Sequence, residues 1–205
     1  MNVSYASTNE WPYSLALTTA ATVEPVSLNE VRDQCRISVA DDDAVLLSMI
    51  RRARRKCEKY LERQFCTATW TLTANGFPCA SDTNPFASIP MPKPPLVSAT
   101  ISYMDVNGAS QTFAASNYSL EKPTDHQGKI HLAYGSIWPT VQSHPTAVTI
   151  PFVAGYGAAA AVPETIKEAI AALACYLYEN RGDEETKLPE FITWMLDSES
   201  WGTGF

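Results

Sequence analysis

Residues 41–63, DDDAVLLSMIRRARRKCEKYLER, contain the most regular pattern in the chain. Apolar residues recur there at steps of three and four, which is typical of an amphipathic helix. These positions are Leu46, Met49, Ile50, Ala53, Cys57, Tyr60 and Leu61. The acidic triplet Asp41-Asp42-Asp43 precedes them, and acidic residues are favoured at a helix start by capping and by the helix dipole. The pattern therefore predicts a helix over residues 42–63.

The opposite face of this predicted helix is strongly basic. It carries seven of the chain's 15 lysines and arginines: Arg51, Arg52, Arg54, Arg55, Lys56, Lys59 and Arg63. A charge run of this kind is usually a solvated helix face. Three functional interpretations compete with that one: contact with a nucleic-acid backbone, with an acidic partner protein, or with an acidic surface of an identical neighbouring subunit. Because the formal net charge is -7, we favour the third, with Asp183, Glu184 and Glu185 as the acidic counter-face.

Two further helices are predicted on either side of a long central segment. Ser27 and Glu30 form a capping box, in which each side chain satisfies the other's free backbone N–H, and this predicts a helix over residues 28–36. Pro163 and Glu164 suit a first helical turn. The amphipathic run behind them predicts a helix over residues 164–181.

Residues 68–154, which lie between these helices, have the character of a β-sheet. Apolar and threonine residues alternate over 69–73, which is typical of a half-buried strand. The proline-rich segment 89–95 predicts an extended stretch at a sheet edge, because proline cannot donate to a strand ladder. Asn107-Gly108 indicates a hairpin. Further short strands are predicted near 118–120, 129–134 and 147–153. The predicted fold class is α+β, with a small antiparallel β-sheet inserted into a helical body.

The two ends of the chain are predicted to differ in structure. Residues 1–24 are polar and irregular and are predicted to form a flexible arm. Residues 183–205 are predicted to form a C-terminal tail with a short helix that begins near Pro189. Its apolar residues either pack back onto the same domain or dock on another protein, and we favour docking with aromatic anchors. They are Phe191, Ile192, Trp194, Met195, Leu196, Trp201 and Phe205.

The sequence carries no recognisable catalytic or metal-binding motif. The three histidines, His126, His131 and His144, lack the spacing of metal ligands. Asp41-Asp42-Asp43 is better explained as a helix start than as a magnesium site. Gly155-Tyr156-Gly157 lacks the spacing of a phosphate-binding loop and indicates a turn. We therefore expect no catalysis, no metal and no cofactor.

The cysteines and the hydropathy pattern indicate a cytoplasmic protein. Five cysteines without a C-x-x-C pair predict free thiols in a reducing compartment, some of them buried. They are Cys35, Cys57, Cys66, Cys79 and Cys175. No stretch approaches the roughly 20 apolar residues of a membrane helix, and no positive segment precedes the apolar patch at residues 15–17. We expect no membrane contact.

The order of these elements resembles the head–tail connector (adaptor) proteins of long-tailed bacteriophages and of phage-derived gene-transfer particles. The resemblance covers residues 25–182, which would form the connector domain. The resemblance rests on short segments that occur in the same order as in that family, and no single segment is specific for the family. They are residues 25–31, 41–43, 58–63, 90–97, 103–108, 118–120, 128–130, 138–139, 155–157, 162–167 and 178–181.

The resemblance implies a structural role. Such proteins form a ring, commonly of twelve subunits, beneath the portal protein at the capsid vertex. The ring extends the channel through which DNA passes without specific binding, and it offers a platform for the next neck or tail-completion protein. The family's C-terminal segment commonly docks on the portal, which would be the role of residues 183–205. The implied location is the virion neck, with assembly in the host cytoplasm.

One alternative function belongs to a different class. The basic helix at residues 51–63 would also suit a DNA-binding packaging factor. Salt-sensitive retention on DNA near physiological ionic strength would favour that alternative over the connector.

Overall fold

The computed structural model describes residues 11–38, 40–80, 84–124, 127–181 and 187–200. The described residues form α-helices and antiparallel strands, so the predicted α+β class is confirmed. The chain divides into two compact units. The sheet unit comprises Met1–Ala20 and Ala68–Gly155, and the helical unit comprises Ala21–Thr67 and Tyr156–Phe205. Residues 25–182, which were predicted to form the connector domain, contribute to both units.

The helical unit contains four helices in the described residues: α1 (Leu28–Cys35), α2 (Asp43–Tyr60), α3 (Glu164–Glu179) and α4 (Glu190–Asp197). The first three begin within one residue of their predicted starts. The capping box of α1 is present: the backbone N–H of Glu30 donates to Ser27 Oγ at 3.2 Å, and that of Ser27 donates to Glu30 Oε2 at 2.6 Å. These hydrogen bonds lower the pKa of Glu30 below its usual value.

The core of the helical unit lies mainly between α2 and α3. The apolar face predicted for α2 is buried through Leu46, Ile50, Ala53 and Cys57. It packs in one cluster with the apolar residues of α3, of α4 and of the segment that follows α2. Fully burying one leucine or isoleucine side chain contributes about 1.5–3 kcal/mol, so this seam is the main source of stability for the unit.

Two of the five cysteines are not free thiols. Cys35 at the end of α1 and Cys175 in α3 form a disulfide, with Cα atoms 5.4 Å apart. The prediction of five free cysteines was therefore wrong. The two residues are separated by 140 positions, so only the packing of α1 against α3 brings them together. Cys57 and Cys66 are buried free thiols, and Cys79 is exposed.

The sheet unit contains two antiparallel sheets in the described residues, where one was predicted. The larger has the strand order β1-β2-β9-β5-β6, with β4 also paired to β9, and the smaller has the order β3-β8-β7. The strands are β1 (Tyr13–Thr19), β2 (Ala68–Ala74), β3 (Ile89–Met91), β4 (Leu96–Ala99), β5 (Ile101–Met104), β6 (Ser110–Phe113), β7 (Tyr118–Thr124), β8 (Gln127–Leu132) and β9 (Val148–Ala154).

Both sheets share one apolar core. Leu15, Leu72 and Ile150 lie opposite one another across β1, β2 and β9 and are all buried. The smaller sheet closes over this core at Gly128 of β8. A Cβ atom at Gly128 would lie 2.9 Å from Cβ of Leu96, so only glycine permits this close approach.

Part of the predicted flexible arm is a strand. β1 lies within residues 1–24 and pairs with β2, and the hydroxyls of Ser14 and Thr73 are 2.6 Å apart across the pair. Just before β1, the indole of Trp11 is buried and its Nε1 donates to the backbone O of Gly76 at 2.8 Å. The sequence did not predict β1, because it is an edge strand in which only Leu15 is buried, and so it lacks an alternating apolar pattern.

Two turn predictions are confirmed. Asn107 and Gly108 form the turn of the β5–β6 hairpin, and Gly108 has a φ of 81°. Asp105 organises the turn: its Oδ1 accepts the backbone N–H groups of Ala109 at 3.0 Å and Asn107 at 2.9 Å. The proline-rich segment supplies β3, which is an edge strand of the smaller sheet, as predicted.

Candidate functional site

The basic face of α2 contains fewer exposed residues in the structure than the sequence predicted. Arg51, Arg52, Arg55 and Lys59 are exposed, and Lys56 is partly exposed. Arg51 Nε lies 4.0 Å from Glu24 Oε1 and remains mostly in solvent. These five residues lie opposite the apolar face that packs in the core, and they form what we call the basic strip.

Arg54 does not belong to the basic strip, although it was predicted there. Its side chain is 9% exposed; Nε donates to Glu24 Oε2 at 2.7 Å and Nη1 donates to Glu58 Oε2 at 2.8 Å. Burial alone would lower the pKa of this guanidinium, but the hydrogen bond to Glu24 and the charge of Glu58 outweigh it and raise the pKa. The spacing of four from Ile50 placed Arg54 beside the apolar face, and that signal could have identified it as buried.

Arg63, the last basic residue of the predicted face, is also buried. Its Nη1 donates to the Tyr156 hydroxyl at 3.0 Å, and its Nη2 donates to the backbone O of Glu199. Tyr156 belongs to the Gly155-Tyr156-Gly157 turn, in which both glycines have positive φ. Arg63 therefore joins this turn to the chain beyond α4, and it offers no charge to a partner.

The tail helix α4 is divided between the core and the surface. Ile192 and Leu196 are fully buried in the helical unit, and Met195 is partly buried against the same core. Phe191 is 44% exposed and Trp194 is 69% exposed. Near the end of α4, the Tyr60 hydroxyl donates to Asp197 Oδ1 at 2.6 Å.

This arrangement corrects part of the docking prediction. Ile192 and Leu196 pack onto their own unit, because α4 presents one apolar face to the core, and so they are not accessible to a partner. The exposed docking candidates on α4 are Phe191 and Trp194. They lie three residues apart and hence on one helix face. Trp201 and Phe205 lie outside the described residues, as do Asp183, Glu184 and Glu185 of the predicted acidic counter-face.

The acidic triplet starts α2 as predicted. Asp43 is the first helical residue and forms an ion pair with Arg32. Asp42, at the N-cap, accepts a hydrogen bond from the Tyr178 hydroxyl through Oδ2, which lies 3.5 Å from Nη2 of Arg181. These contacts tie the start of α2 to the end of α3.

The described histidines do not lie together in a metal-binding or catalytic cluster. His131 pairs with Glu121 on the neighbouring strand, Nδ1 of His144 accepts the backbone N–H of Thr146 at 3.2 Å, and His126 is not described. Within the described ranges, no group of three or more His, Cys, Asp or Glu residues is placed to hold a metal ion. Nor does any helix in that part of the chain combine the length and apolarity needed to cross a bilayer.

Residues 25–113 match the sequence model of the phage gp6-like head-tail connector protein family. This match confirms the resemblance predicted from the sequence. The family is one of structural connectors and not of enzymes. A comparison with curated protein sequences gives no match.

Solved structures of gene transfer agent (GTA) particles contain chains with the same fold. One comes from the neck of an empty GTA particle computed with C6 symmetry, with a TM-score of 0.72. Others come from the virion of a native GTA particle, with a TM-score of 0.75, and from the neck of a native GTA particle computed with C12 symmetry, with a TM-score of 0.73. In each case the identity is 21%, and the match covers 93% of this chain and 97% of the other.

Proposed function

We propose that the protein is a structural head–tail connector that assembles as a ring in the neck of a phage or a phage-derived particle. The observation that carries this proposal is the connector-family match over residues 25–113, on a fold shared with GTA particle chains over 93% of this chain. Those necks were computed with six-fold and twelve-fold symmetry. A ring of twelve subunits satisfies both symmetries, so twelve is the subunit number we propose.

Ring closure requires one surface of each subunit to meet a different surface of the next. The basic strip supplies one such surface, with four exposed cations on a chain of net charge -7. The acidic run Asp183-Glu184-Glu185 is the complementary sequence that we assign to the neighbouring subunit. Charge pairing of this kind gives a contact its register and its orientation more than its affinity.

Docking on the portal is assigned to the exposed face of α4. Ile192 and Leu196 anchor this helix in the core, so the aromatic side chains of Phe191 and Trp194 are held on a rigid element. Aromatic residues presented in this way make effective interface anchors, because little conformational entropy is lost when they bind. Trp201 and Phe205 would extend the same contact.

The remaining partners follow from the connector role. The ring would present its other surfaces to the next neck or tail-completion protein. DNA would pass through the channel without specific binding, which suits an acidic chain because its overall charge repels phosphates. The location would be the virion neck, and subunits would assemble in the host cytoplasm.

Co-sedimentation with the portal protein from the same source tests the docking assignment. We expect the full-length chain to sediment with the portal, and the Phe191→Ser/Trp194→Ser double variant to lose at least about tenfold in affinity, as removal of aromatic anchors generally causes. Leu47→Ser is the matched control, since Leu47 is also exposed on a helix of the helical unit. Equal binding by the double variant and the control would overturn the assignment.

The alternative, a DNA-binding packaging factor, is tested on the basic strip. If the wild-type chain is retained on duplex DNA near physiological salt, and Arg51→Glu/Arg55→Glu abolishes that retention, the alternative is favoured. The connector proposal predicts no retention at that ionic strength, because four exposed cations on an acidic chain give few phosphate contacts.

A further inference from the structure

Three exposed apolar side chains lie on two loops of the sheet unit. Phe86, between β2 and β3, is 75% exposed, Ile137, between β8 and β9, is 80% exposed, and Tyr134 on the same loop as Ile137 is fully exposed. We call these three residues the loop patch. Scattered apolar residues are normal on a protein surface, but grouped ones mark contact sites.

Hydrogen bonds fix both loops and join them. Asn84 Oδ1 accepts the backbone N–H of Ser88 at 2.9 Å, and Asn84 Nδ2 donates to the backbone O of Ser88 at 2.8 Å. Trp138 Nε1 donates to the backbone O of Ala87 at 2.9 Å. Phe86 and Ile137 each lie one residue from this last bond, so it holds their two backbone positions near each other.

The second loop is also anchored to the core of its unit. The ring of Trp138 stacks on Phe77 with centroids 4.6 Å apart and an interplanar angle of 6°. The backbone N–H of Ser136 donates to Ala133 O at 3.0 Å and closes the turn that carries Tyr134. A surface held in this way loses little entropy on binding.

The loop patch lies in sequence that carries no formal charge. Residues 84–92 and 133–147 contain no Asp, Glu, Lys or Arg. Depletion of charge together with enrichment of aromatic residues is the composition of an interface centre. A nucleic acid is an unsuitable occupant, because phosphate contacts need cations that these loops lack.

We propose that the loop patch is a contact with a second copy of this chain, within the ring of the proposed function on which this inference rests. Copies that each carry a net charge of -7 repel one another. Outside the proposed pairing of the basic strip with residues 183–185, contact between copies is least opposed where neither side contributes charge, and the loop patch is such a place. Its three side chains expose on the order of 400–500 Å², which is the apolar centre of an interface that buries about 800 Å² per partner.

A photoreactive benzoylphenylalanine in place of Phe86 tests the identity of the occupant. The full-length chain carrying it is bound to the portal and irradiated, and it is also irradiated alone at high concentration. We expect a covalent dimer of this chain as the main product. A product with the portal or with another neck protein, or no product at all, would contradict the proposal.

Substitutions test the same surface without a probe. Phe86→Ser/Ile137→Ser should weaken self-association at least about tenfold, measured by sedimentation velocity, because two apolar anchors are lost. Val106→Ser is the matched control: Val106 is exposed in the same unit, in the β5–β6 turn outside the loop patch. Unchanged far-ultraviolet circular dichroism would show that both variants fold. Self-association equal to wild type in the double variant would overturn the proposal.

The two experiments separate this inference from the connector proposal. If the wild-type chain binds the portal but the photoproduct contains no second copy, the loop-patch proposal fails and the connector proposal stands. If the chain does not bind the portal but the concentrated protein still cross-links to itself through position 86, the connector proposal fails, and the loop patch stands as a self-contact outside a portal-bound ring.

Discussion

At the residue scale, Arg54 places a permanent positive charge inside the helical unit. It lies between the carboxylates of Glu24 and Glu58, and the second oxygen of Glu58 accepts from Gln64 Nε2 at 2.8 Å and from the backbone N–H of Phe65 at 3.1 Å. One arginine thus connects the segment before α1, the helix α2 and the chain after it. Such a network specifies one arrangement, because removing Arg54 leaves two partly buried carboxylates without their cation.

Replacing Arg54 should therefore destabilise the protein. Arg54→Met keeps the aliphatic volume but leaves Glu24 and Glu58 without their cation, and loss of one partner of a buried ion pair costs about 3–5 kcal/mol. Urea unfolding monitored by circular dichroism measures the change. Arg55→Met is the control: Arg55 is the next residue and is exposed, so we expect a change within about 0.5 kcal/mol. Equal effects would show that Arg54 has no structural role.

The free cysteines give a second prediction at this scale. Burial raises the pKa of the Cys57 thiol to about 12 and that of Cys66 to about 11. Both thiols stay protonated near pH 8, and the thiolate is the reactive form. Iodoacetamide should then alkylate Cys79 in the native protein at pH 8, while Cys57 and Cys66 should react only after unfolding. Mass spectrometry of digests measures this, and labelling of Cys57 at the rate of Cys79 would contradict it.

The same pKa shifts determine whether the free energy of unfolding rises or falls with pH. Above the ordinary thiol pKa, the folded state holds protons that the unfolded state has released. The free energy of unfolding therefore falls as the pH rises from that value towards the folded-state values. Because the pKa of Cys57 is raised further than that of Cys66, Cys57→Ala should flatten this dependence more than Cys66→Ala.

At the element scale, α4 is a core helix and a surface helix at once. Ile192→Ala should cost about 2–5 kcal/mol, because it leaves a cavity in a packed core. Trp194→Ala should stay within about 0.5 kcal/mol, because the ring is mostly in solvent. Denaturant unfolding of both variants measures the difference. If Trp194→Ala were the more destabilising, the orientation of α4 described above would be wrong.

Some of the helices and turns were predictable from the sequence, and some of the strands were not. The capping box, the apolar period of α2 and the Asn107-Gly108 turn are local signals, and each predicted its element correctly. The strand β1 was missed because an edge strand with one buried residue has little pattern. The division into two sheets was missed because pairing between distant strands, as of β2 with β9, leaves no trace in one sequence.

The candidate contact surfaces were less predictable from the sequence than the helices and turns were. Charge and apolarity placed the predicted contact surfaces on α2 and α4. Which of their residues are exposed depends on packing, so Arg54, Arg63, Ile192 and Leu196 were assigned to surfaces although they are buried. The loop patch was missed because Phe86, Tyr134 and Ile137 lie outside any periodic element, and their exposure has no sequence signal.

At the scale of the whole molecule, the chain combines a helical unit and a sheet unit. The family match spans residues from both, and the likeness to GTA particle chains covers 93% of the chain. Each unit offers a distinct surface: the helical unit has the basic strip and the exposed face of α4, and the sheet unit has the loop patch. A subunit of the proposed ring, which would contact its neighbours and a portal, would use several such surfaces.

The central claim is that the protein joins head to tail, and electron microscopy of particles made without it tests this most directly. If the coding sequence is deleted in the source of the particle, we predict separate heads and tails in negative stain, with junctions restored by the wild-type chain supplied in trans. Complete particles with intact head–tail junctions in the deletion strain would contradict the account.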